Sequence, residues 1–308
     1  MAATTIEVEG RRLKLSNLEK VLYPAAGFTK GEVLDYYTRI SPLLLPHLRG
    51  RPLTLKRYPD GVDAGFFYEK QCPGHRPDWV ETAPVWSRHN SRTIDFCLAN
   101  DLPTLIWVAN LASLELHTAL HRAPGQEREQ PDSVVFDLDP GEGAGTAECA
   151  QVALWLREAL DHLNLHSPVV KASGSKGIQV YVPLNTPVTY DQTKGFSHAL
   201  AQLLERVHRD LVVSNMAKEL RKGKVLIDWS QNDEHKTTVC VYSLRARPQP
   251  TVSLPLTWEE VEAAAGGRPL PPLTAPDVLE RVAGTGDLLA PLLSVEQELP
   301  PVRARQGR

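Results

Sequence analysis

Apolar strand-like segments alternate with amphipathic helical ones between residues 133 and 247, and this alternation constrains the fold most. The strand-like segments are SVVFDLDP (133–140), PVVKAS (168–173), GIQVYVPL (177–184), KVLIDWSQN (224–232) and TTVCVYSLRAR (237–247). The second and third of these are close enough to form a β-hairpin. Apolar residues recur near every 3.6 positions in 146–163 and 192–211, which predicts a helix in each.

The first part of the chain predicts a mixture of strands and helices. LTLKRYP (53–59) and TIDFCLA (93–99) have strand character, and residues 31–48 have helical spacing. We also predict one continuous helix over 101–120, DLPTLIWVANLASLELHTAL, with Asp101 as its N-cap. TWEEVEAAA (257–265) predicts a short helix in a proline-rich tail. No repeat or low-complexity linker interrupts residues 1–308, so we expect a single domain with two lobes.

Composition favours a globular protein outside the membrane. Hydrophobic residues make up 42% of the chain and charged residues 23%, and no apolar run approaches the roughly 20 residues that span a bilayer. The N-terminus lacks the apolar core of a secretory signal, so the expected location is the cytoplasm. The four cysteines form no CxxC pair; we therefore expect ordinary thiols rather than a zinc site.

Charge is unevenly distributed along the chain, although the net charge is only −3. Residues 1–60 contain ten Lys and Arg against six Asp and Glu, and residues 121–165 contain three against nine. A basic surface beside an acidic centre would suit a protein that contacts phosphates next to a metal site. Ordinary surface scatter explains the same counts.

Asp137 and Asp139 are the first candidate metal ligands. On a strand, residues i and i+2 project from the same face, and paired carboxylates bind hard cations such as Mg²⁺ or Mn²⁺. Asp228 follows three apolar residues, and an acid in such surroundings needs a partner or a metal. The alternative interpretation is a set of exposed acids at strand ends.

Ser173, Lys176 and the two glycines of SGSKG (173–177) could contact phosphate oxygens; a plain polar turn is the alternative. The loop is not a Walker A motif. Lys56 precedes an acid by four residues in KRYPDG, which excludes the KxDG motif of covalent nucleotidyl-lysine ligases. Phe66 and Phe67 face opposite ways on an extended chain, so one can stack on a base unless both pack in the core. His117 has the same two interpretations, ligand or ordinary histidine.

Taken in order, these motifs resemble the polymerase domain of bacterial DNA ligase D, a branch of the archaeo-eukaryotic primase superfamily. The similarity extends over LSNLEKVLYP, FTKGEVLDYY, RPLTLKRYPDG, GFFYEK, ASLELH, VVFDLDP, KASGSKGIQVYVPL, VLIDWSQN and VYSLRAR. It implies an α+β primase-like core with mixed and antiparallel central sheets flanked by helices, in two lobes with the active site between them. We expect residues 1–308 to be a single polymerase domain, which departs from the full ligase D in having no ligase or nuclease module.

The resemblance further implies a role for each matching residue. Asp137, Asp139 and Asp228 would bind two ions, Mn²⁺ by preference or Mg²⁺. The residues that would hold the incoming NTP or dNTP are Lys56, Phe66, Phe67, His117, Ser173, Lys176, Gln231 and Arg245. Asn17, Lys20 and Lys30 would bind a 5′-phosphate at a DNA gap or break. The family prefers ribonucleotides and acts in non-homologous end joining with Ku and a DNA ligase, which implies a nucleoid-associated location in the bacterial cytoplasm.

One departure from the family pattern concerns the second superfamily motif, which often ends in histidine. Here Gln179 occupies that position, and an amide takes no proton at neutral pH. The resulting hypothesis is two-metal addition of nucleotides to a DNA 3′-OH. Three alternatives stay open: a primase that starts synthesis de novo, a metal-dependent nuclease or phosphatase, and a non-catalytic module that bridges DNA ends.

Overall fold

The computed structural model describes residues 3–87, 91–123, 125, 130–271 and 273–300. In chain order the strands are β1 Ala3–Val8, β2 Arg11–Ser16, β3 Val21–Tyr23, β4 Phe28–Thr29, β5 Leu53–Arg57, β6 Phe67–Glu69, β7 Thr82–Ser87, β8 Arg92–Cys97, β9 Ser113–Thr118, β10 Ser133–Pro140, β11 Val169–Ala172, β12 Ile178–Pro183, β13 Val212–Val213, β14 Val225–Asp228, β15 Thr238–Val239 and β16 Pro255–Leu256. The α-helices are α1 Lys30–Leu48, α2 Leu102–Asn110, α3 Thr146–His162, α4 Tyr190–Val207, α5 Trp258–Ala265, α6 Ala275–Thr285 and α7 Pro291–Ser294. Short 3₁₀ turns cover Pro24–Ala26, Lys218–Leu220 and Trp229–Gln231.

Contacts divide the chain into two units. The first takes the described residues of 1–129, 237–254 and 272–287, and the second takes those of 130–236, 255–271 and 288–308. None of the described helices is both long and apolar enough to cross a bilayer.

The first unit is built on an antiparallel sheet with the order β15-β9-β5-β8-β7, and β6 pairs with β5. Helix α1 begins with a capping box, in which Thr29 and Glu32 bond each other's backbone N–H groups. Two buried tyrosines fix α1 in this unit, because the Tyr36 hydroxyl donates to the Tyr242 carbonyl and the Tyr37 hydroxyl to the Leu114 carbonyl.

The second unit contains a mixed sheet with the order β13-β14-β10-β12-β11-β16. The β13–β14 pair is parallel and the other pairs are antiparallel. Strand β10 lies between β12 and β14, and helices α3 and α4 pack on it through side chains that include Phe196 against Phe136. The predicted α+β class, with antiparallel and mixed sheets flanked by helices, is confirmed.

The continuous helix predicted over 101–120 is wrong in its second half. Helix α2 ends at Asn110, Ala112 adopts a left-handed φ of 59°, and the chain then forms β9. Strand β9 pairs with β5 on one side and β15 on the other. Backbone pairing along both edges outweighs the helical preference of Leu, Ala and Glu in this segment.

Two further expectations need correction. The strand predicted over 237–247 is limited to β15, because Tyr242 turns the chain with φ 61°. In the rest of that segment Leu244 forms a single bridge, to Val252.

The thiols predicted at Cys72 and Cys97 form a disulfide, with 5.0 Å between their Cα atoms. The N–H of Cys72 donates to Asp95 of β8, which aligns the two segments. Cys149 and Cys240 are free and buried.

Candidate active site

The three predicted metal-binding acids lie on neighbouring strands of the second unit. Asp137 and Asp139 flank the fully buried Leu138 on β10, so their side chains project from the opposite face to that of leucine. Asp137 is paired directly with Asp228 at the end of β14. Residues opposite each other in antiparallel strands present their side chains to the same face. The β10 and β14 registers therefore bring all three carboxylates to one side of the sheet.

Electrostatic repulsion is concentrated at Asp137. Burial raises the pKa of its carboxyl group, and the charges of Asp139 and Asp228 raise it further. Within the described ranges no three His, Cys, Asp or Glu side chains converge into a preformed metal site. Three hard oxygen donors that repel one another are nevertheless a donor set that a divalent cation would neutralise. The residues present therefore fit Mg²⁺ or Mn²⁺.

Asp228 is held by the turn that follows it. Its Oδ1 accepts hydrogen bonds from the N–H and hydroxyl of Ser230, at 3.0 and 2.6 Å. The Nε2 of Gln231 donates to Oδ2 at 3.1 Å. The Gln231 Oε1 is buried and has no hydrogen-bond partner among the described residues. An acceptor in this position is available to a ligand hydroxyl.

Gln179 contacts the acids through its side-chain amide. Gln179 lies on β12, directly opposite Asp137 of β10. It hydrogen-bonds the Asp137 carboxylate, which partly offsets the raised pKa of that group. Its Oε1 accepts from the buried Lys171 ammonium and from the Tyr181 hydroxyl. Because this oxygen is an acceptor, the amide nitrogen is the group that donates to Asp137. Gln179 thus serves as a hydrogen-bond donor, a role that needs no proton transfer.

The loop that connects β11 and β12 lies against β10. Ser173 is buried, its N–H donates to the Gly177 carbonyl at 2.9 Å, and Lys176 is exposed. A Cβ atom at Gly177 would lie 2.6 Å from the Leu138 carbonyl oxygen and 3.5 Å from Asp139 Oδ1. The absence of a side chain at Gly177 therefore permits the loop to approach the acids. The predicted phosphate-binding loop and the predicted metal ligands are neighbours within the second unit.

In the first unit, Lys56, His117 and Arg245 surround one carboxylate, that of Glu115. His117 Nε2 is 3.0 Å from Glu115 Oε2, Arg245 Nε is 3.4 Å from the same oxygen, and Lys56 Nζ is 3.4 Å from Oε1. Burial alone would raise the pKa of Glu115. The hydrogen bond from His117 and the charges of Arg245 and Lys56 instead hold it well below its usual range.

Aromatic side chains flank this cluster. Lys56 Nζ is 4.4 Å from the centroid of the Phe66 ring, and Arg57 lies 5.1 Å from that of Phe67. The two phenylalanines contact different cations, in agreement with the predicted opposite directions of adjacent residues. Both are exposed, at 52% and 44%, so the alternative in which both pack in the core is wrong. Each ring therefore keeps an open surface on which a base can stack.

Asn17, Lys20 and Lys30 line one cavity of about 630 Å³ in the first unit. Lys20 pairs with Asp60 at 2.8 Å, and Lys30 donates to the Ser16 carbonyl at 2.7 Å. The other lining residues include Arg12, Lys14, Arg57, His75, Trp79 and Trp107. Burial, helped by the charges of Lys20 and Arg57, lowers the pKa of Lys30 to about 8. The cavity has the positive charge that a phosphate requires.

Several residues of these clusters were not identified from the sequence. Glu115 lies in the segment that was predicted to be helical. No role was predicted for Lys171, which begins the KASGSKGIQVYVPL segment, or for Arg57, which lines the cavity with the lysines. Arg221 lies close enough to Asp139 to oppose the rise in the pKa of that acid. A strand prediction for 113–118 would have indicated Glu115, because residues two apart on a strand project from the same face and Glu115 would then lie beside His117.

The chain is similar to known proteins over most of its length. The profile of the family described as "LigD, primase-polymerase domain" matches residues 29–289. The "Multifunctional non-homologous end joining protein LigD" of Mycolicibacterium smegmatis is 42% identical over 281 residues, which are 91% of this chain and 36% of that protein. The "Bifunctional non-homologous end joining protein LigD" of Bacillus subtilis is 31% identical over 254 residues, which are 82% and 40%. The chain thus spans less than half the length of these relatives.

A solved structure gives the same result for the fold. It is described as "Polymerase Domain from Mycobacterium tuberculosis Ligase D in complex with DNA", and it superposes with a TM-score of 0.86 at 42% identity. The match covers 92% of this chain and 98% of the solved one. The resemblance predicted from the motifs and the primase-like fold are both confirmed.

Proposed function

The chain belongs to the LigD primase-polymerase family, and from this membership we propose that it adds nucleotides to a DNA 3′-OH at gaps and double-strand breaks. The reaction is template-directed, depends on divalent metal and prefers ribonucleotides, and it serves non-homologous end joining beside Ku and a DNA ligase in the bacterial cytoplasm. The observation that carries the proposal is the placement of Asp137, Asp139 and Asp228 on one face of the β10–β14 pair, beside the 173–177 loop.

The three aspartates hold the metal ions in this proposal. Asp137 and Asp139 would hold both ions, and Asp228 would hold one of them. Such ions, when bound, supply the Lewis acidity that activates the 3′-OH and neutralises the triphosphate and the departing pyrophosphate. Gln179 keeps the Asp137 carboxylate oriented through its amide donor. No side chain is needed as a dedicated general base.

The nucleotide is bound by the residues that the resemblance implies. Ser173 and Lys176 donate to phosphate oxygens, and the buried, unpartnered Oε1 of Gln231 accepts from a sugar hydroxyl. His117 and Arg245 bind the triphosphate and Lys56 lies beside the ribose. The exposed rings of Phe66 and Phe67 offer stacking surfaces to bases.

Asn17, Lys20 and Lys30 bind the 5′-phosphate on the far side of a gap. Their shared cavity of about 630 Å³ has room for a terminal phosphate, and Arg57 adds a fixed charge to it. A pocket of this kind would select gaps and broken ends over continuous duplex, because only these present a terminal phosphate.

Primer extension on a gapped duplex tests the proposal. The reactions contain Mn²⁺ with either rNTPs or dNTPs, and the far side of the gap ends in a 5′-phosphate or a 5′-hydroxyl. We expect incorporation of rNTPs, stimulated by the phosphate. Asp137→Asn preserves the size of the side chain and removes its charge, so it should abolish extension while end binding persists. Asp161→Asn, at an exposed acid of α3, is the matched control and should extend at the wild-type rate.

Other outcomes would assign a different function. Synthesis on a template without any 3′-OH would indicate a primase. Degradation of DNA without added nucleotide would indicate a nuclease. End binding with no turnover under any metal or nucleotide would indicate a bridging module, and extension by Asp137→Asn at the wild-type rate would remove the metal assignment.

A further inference from the structure

Glu115 is an acid buried beneath residues that we assign to the nucleotide, and no step of the reaction uses it. Only 2% of its surface is exposed. It lies on β9, two residues before His117, so both side chains project from the same face of the strand. Its direct partner on β5 is Lys56, and opposite residues share a face. The sheet register alone therefore places Glu115 between Lys56 and His117.

Both carboxylate oxygens of Glu115 contact polar groups of the first unit. Oε1 contacts Lys56 Nζ at 3.4 Å and accepts from the N–H of Ala246 at 3.1 Å. Oε2 contacts His117 Nε2 at 3.0 Å and Arg245 Nε at 3.4 Å. The Ala246 contact also fixes the backbone next to Arg245. One carboxylate thus joins two strands and the segment that follows β15.

The charges explain why such a residue is needed. Lys56 and Arg245 are cations that would repel each other if they converged in a buried place without a counter-ion. One carboxylate offsets part of that repulsion and leaves a surplus of positive charge for an anionic ligand. An ionised carboxylate only accepts hydrogen bonds, so the nitrogen of His117 that faces it must carry the proton. Glu115 therefore also fixes the tautomer of His117.

We infer that Glu115 is a positioning residue for the incoming nucleotide, which holds Lys56, His117 and Arg245 in the arrangement that receives its triphosphate and sugar. The inference rests on the proposed function, because that proposal assigns the three side chains to the nucleotide. Glu115 itself is enclosed by its partners and does not touch the ligand.

The first test is Glu115→Gln, which keeps the shape and removes the charge. We expect the KM for the nucleotide to rise about tenfold or more, the loss typical of a charge-assisted hydrogen bond, while kcat changes much less. Affinity for a 5′-phosphorylated DNA end should stay unchanged, because Asn17, Lys20 and Lys30 are untouched. Glu81→Gln is the matched control: its carboxylate is exposed and bonds Asn100.

A double-mutant cycle separates positioning from general stability. If Glu115 acts through Lys56, then Glu115→Gln should raise KM less in a Lys56→Met background than in the wild type. Equal effects in both backgrounds would overturn the inference. Glu115→Asp retains the charge and should have a KM closer to that of the wild type. If Asp and Gln variants are equally impaired, the role of Glu115 is structural and the inference fails.

Nucleotide binding measured without DNA, by calorimetry with Mn²⁺ and an NTP, distinguishes failure of the inference from failure of the proposed function. A wild-type protein that neither binds nor incorporates NTP contradicts the proposed function and this inference with it. A wild-type protein that does both, with Glu115→Gln binding equally well, contradicts the inference alone.

Discussion

Replacing Gly177 with alanine tests how closely the β11–β12 loop must approach the metal-binding strand. The added Cβ would lie 2.6 Å from the Leu138 carbonyl oxygen, whereas unstrained contacts of carbon atoms are roughly 3.5–4.0 Å. Leu138 is in the middle of β10, which is paired with β12 and β14 on its two sides. The strand therefore cannot move aside without disturbing both neighbours, and the loop has to shift instead.

The size of the effect follows from this clash. Overpacking of a well-packed region costs about 1–3 kcal/mol, which corresponds to a fall in melting temperature on the order of 2–4 °C for each kcal/mol. The rate of nucleotide incorporation should be affected more strongly than the melting temperature. Asp139 Oδ1 lies 3.5 Å from the same Cβ position, and a displacement of reacting groups by about 1 Å can reduce a rate on the order of 100-fold.

Thermal unfolding and single-nucleotide incorporation would both be measured on Gly177→Ala. The control is Gly195→Ala, in the exposed surface of α4, where a Cβ meets nothing within 4 Å. That substitution should stabilise the protein by up to about 1 kcal/mol, because alanine favours a helix more than glycine does. Wild-type melting temperature and wild-type incorporation in Gly177→Ala would refute the close approach of the loop.

Three other predictions concern single side chains. The pKa of Lys30 is lowered to about 8, chiefly by burial, so its charge is present below pH 8 and lost above it. Affinity for a 5′-phosphorylated DNA end, measured by fluorescence anisotropy, should therefore fall between pH 7 and 9. Lys30→Arg should flatten that pH dependence. Cys72→Ser removes a crosslink between residues 25 apart and should lower the free energy of unfolding by about 3 kcal/mol. If the wild-type protein unfolds at the same urea concentration with and without reductant, the disulfide is absent. Gln179→Leu removes the donor to Asp137 and should reduce Mn²⁺ affinity or extension about 10- to 100-fold, whereas an unchanged Mn²⁺ titration would show that the amide is dispensable.

Local periodicity predicted most elements of the second unit. The acids of β10 alternate with a buried leucine, and the hairpin and both helices predicted over 133–232 form. The strand predicted over 224–232 ends at Asp228, where a 3₁₀ turn begins, and the short β13 was not predicted. Apart from the β11–β12 hairpin, the sequence could not show which strands become neighbours. The pairing of Asp137 with both Asp228 and Gln179 depends on β10 lying between β14 and β12, and such long-range register is set by the packing of the whole sheet.

The errors in the first unit arise from the same limit. Nothing local in the 25-residue spacing of Cys72 and Cys97 distinguishes a disulfide from two separate thiols. Segment 237–247 has the composition of a strand, yet the turn at Tyr242 ends β15 after two residues. In both cases the deciding contact is with a distant part of the chain, and residue preferences contain no information about it.

The misassigned helix and the missed Glu115 are one error. In a helix, residues two apart point about 200° away from each other, so a helical 101–120 would put Glu115 and His117 on opposite sides, and no cluster could be predicted. In a strand they share a face. The left-handed turn at Ala112 ends α2. It also changes the period with which side chains return to the same face, from 3.6 residues to 2 residues, immediately before Glu115 and His117. The arrangement of Lys56, His117 and Arg245 around one carboxylate depends on that change of period.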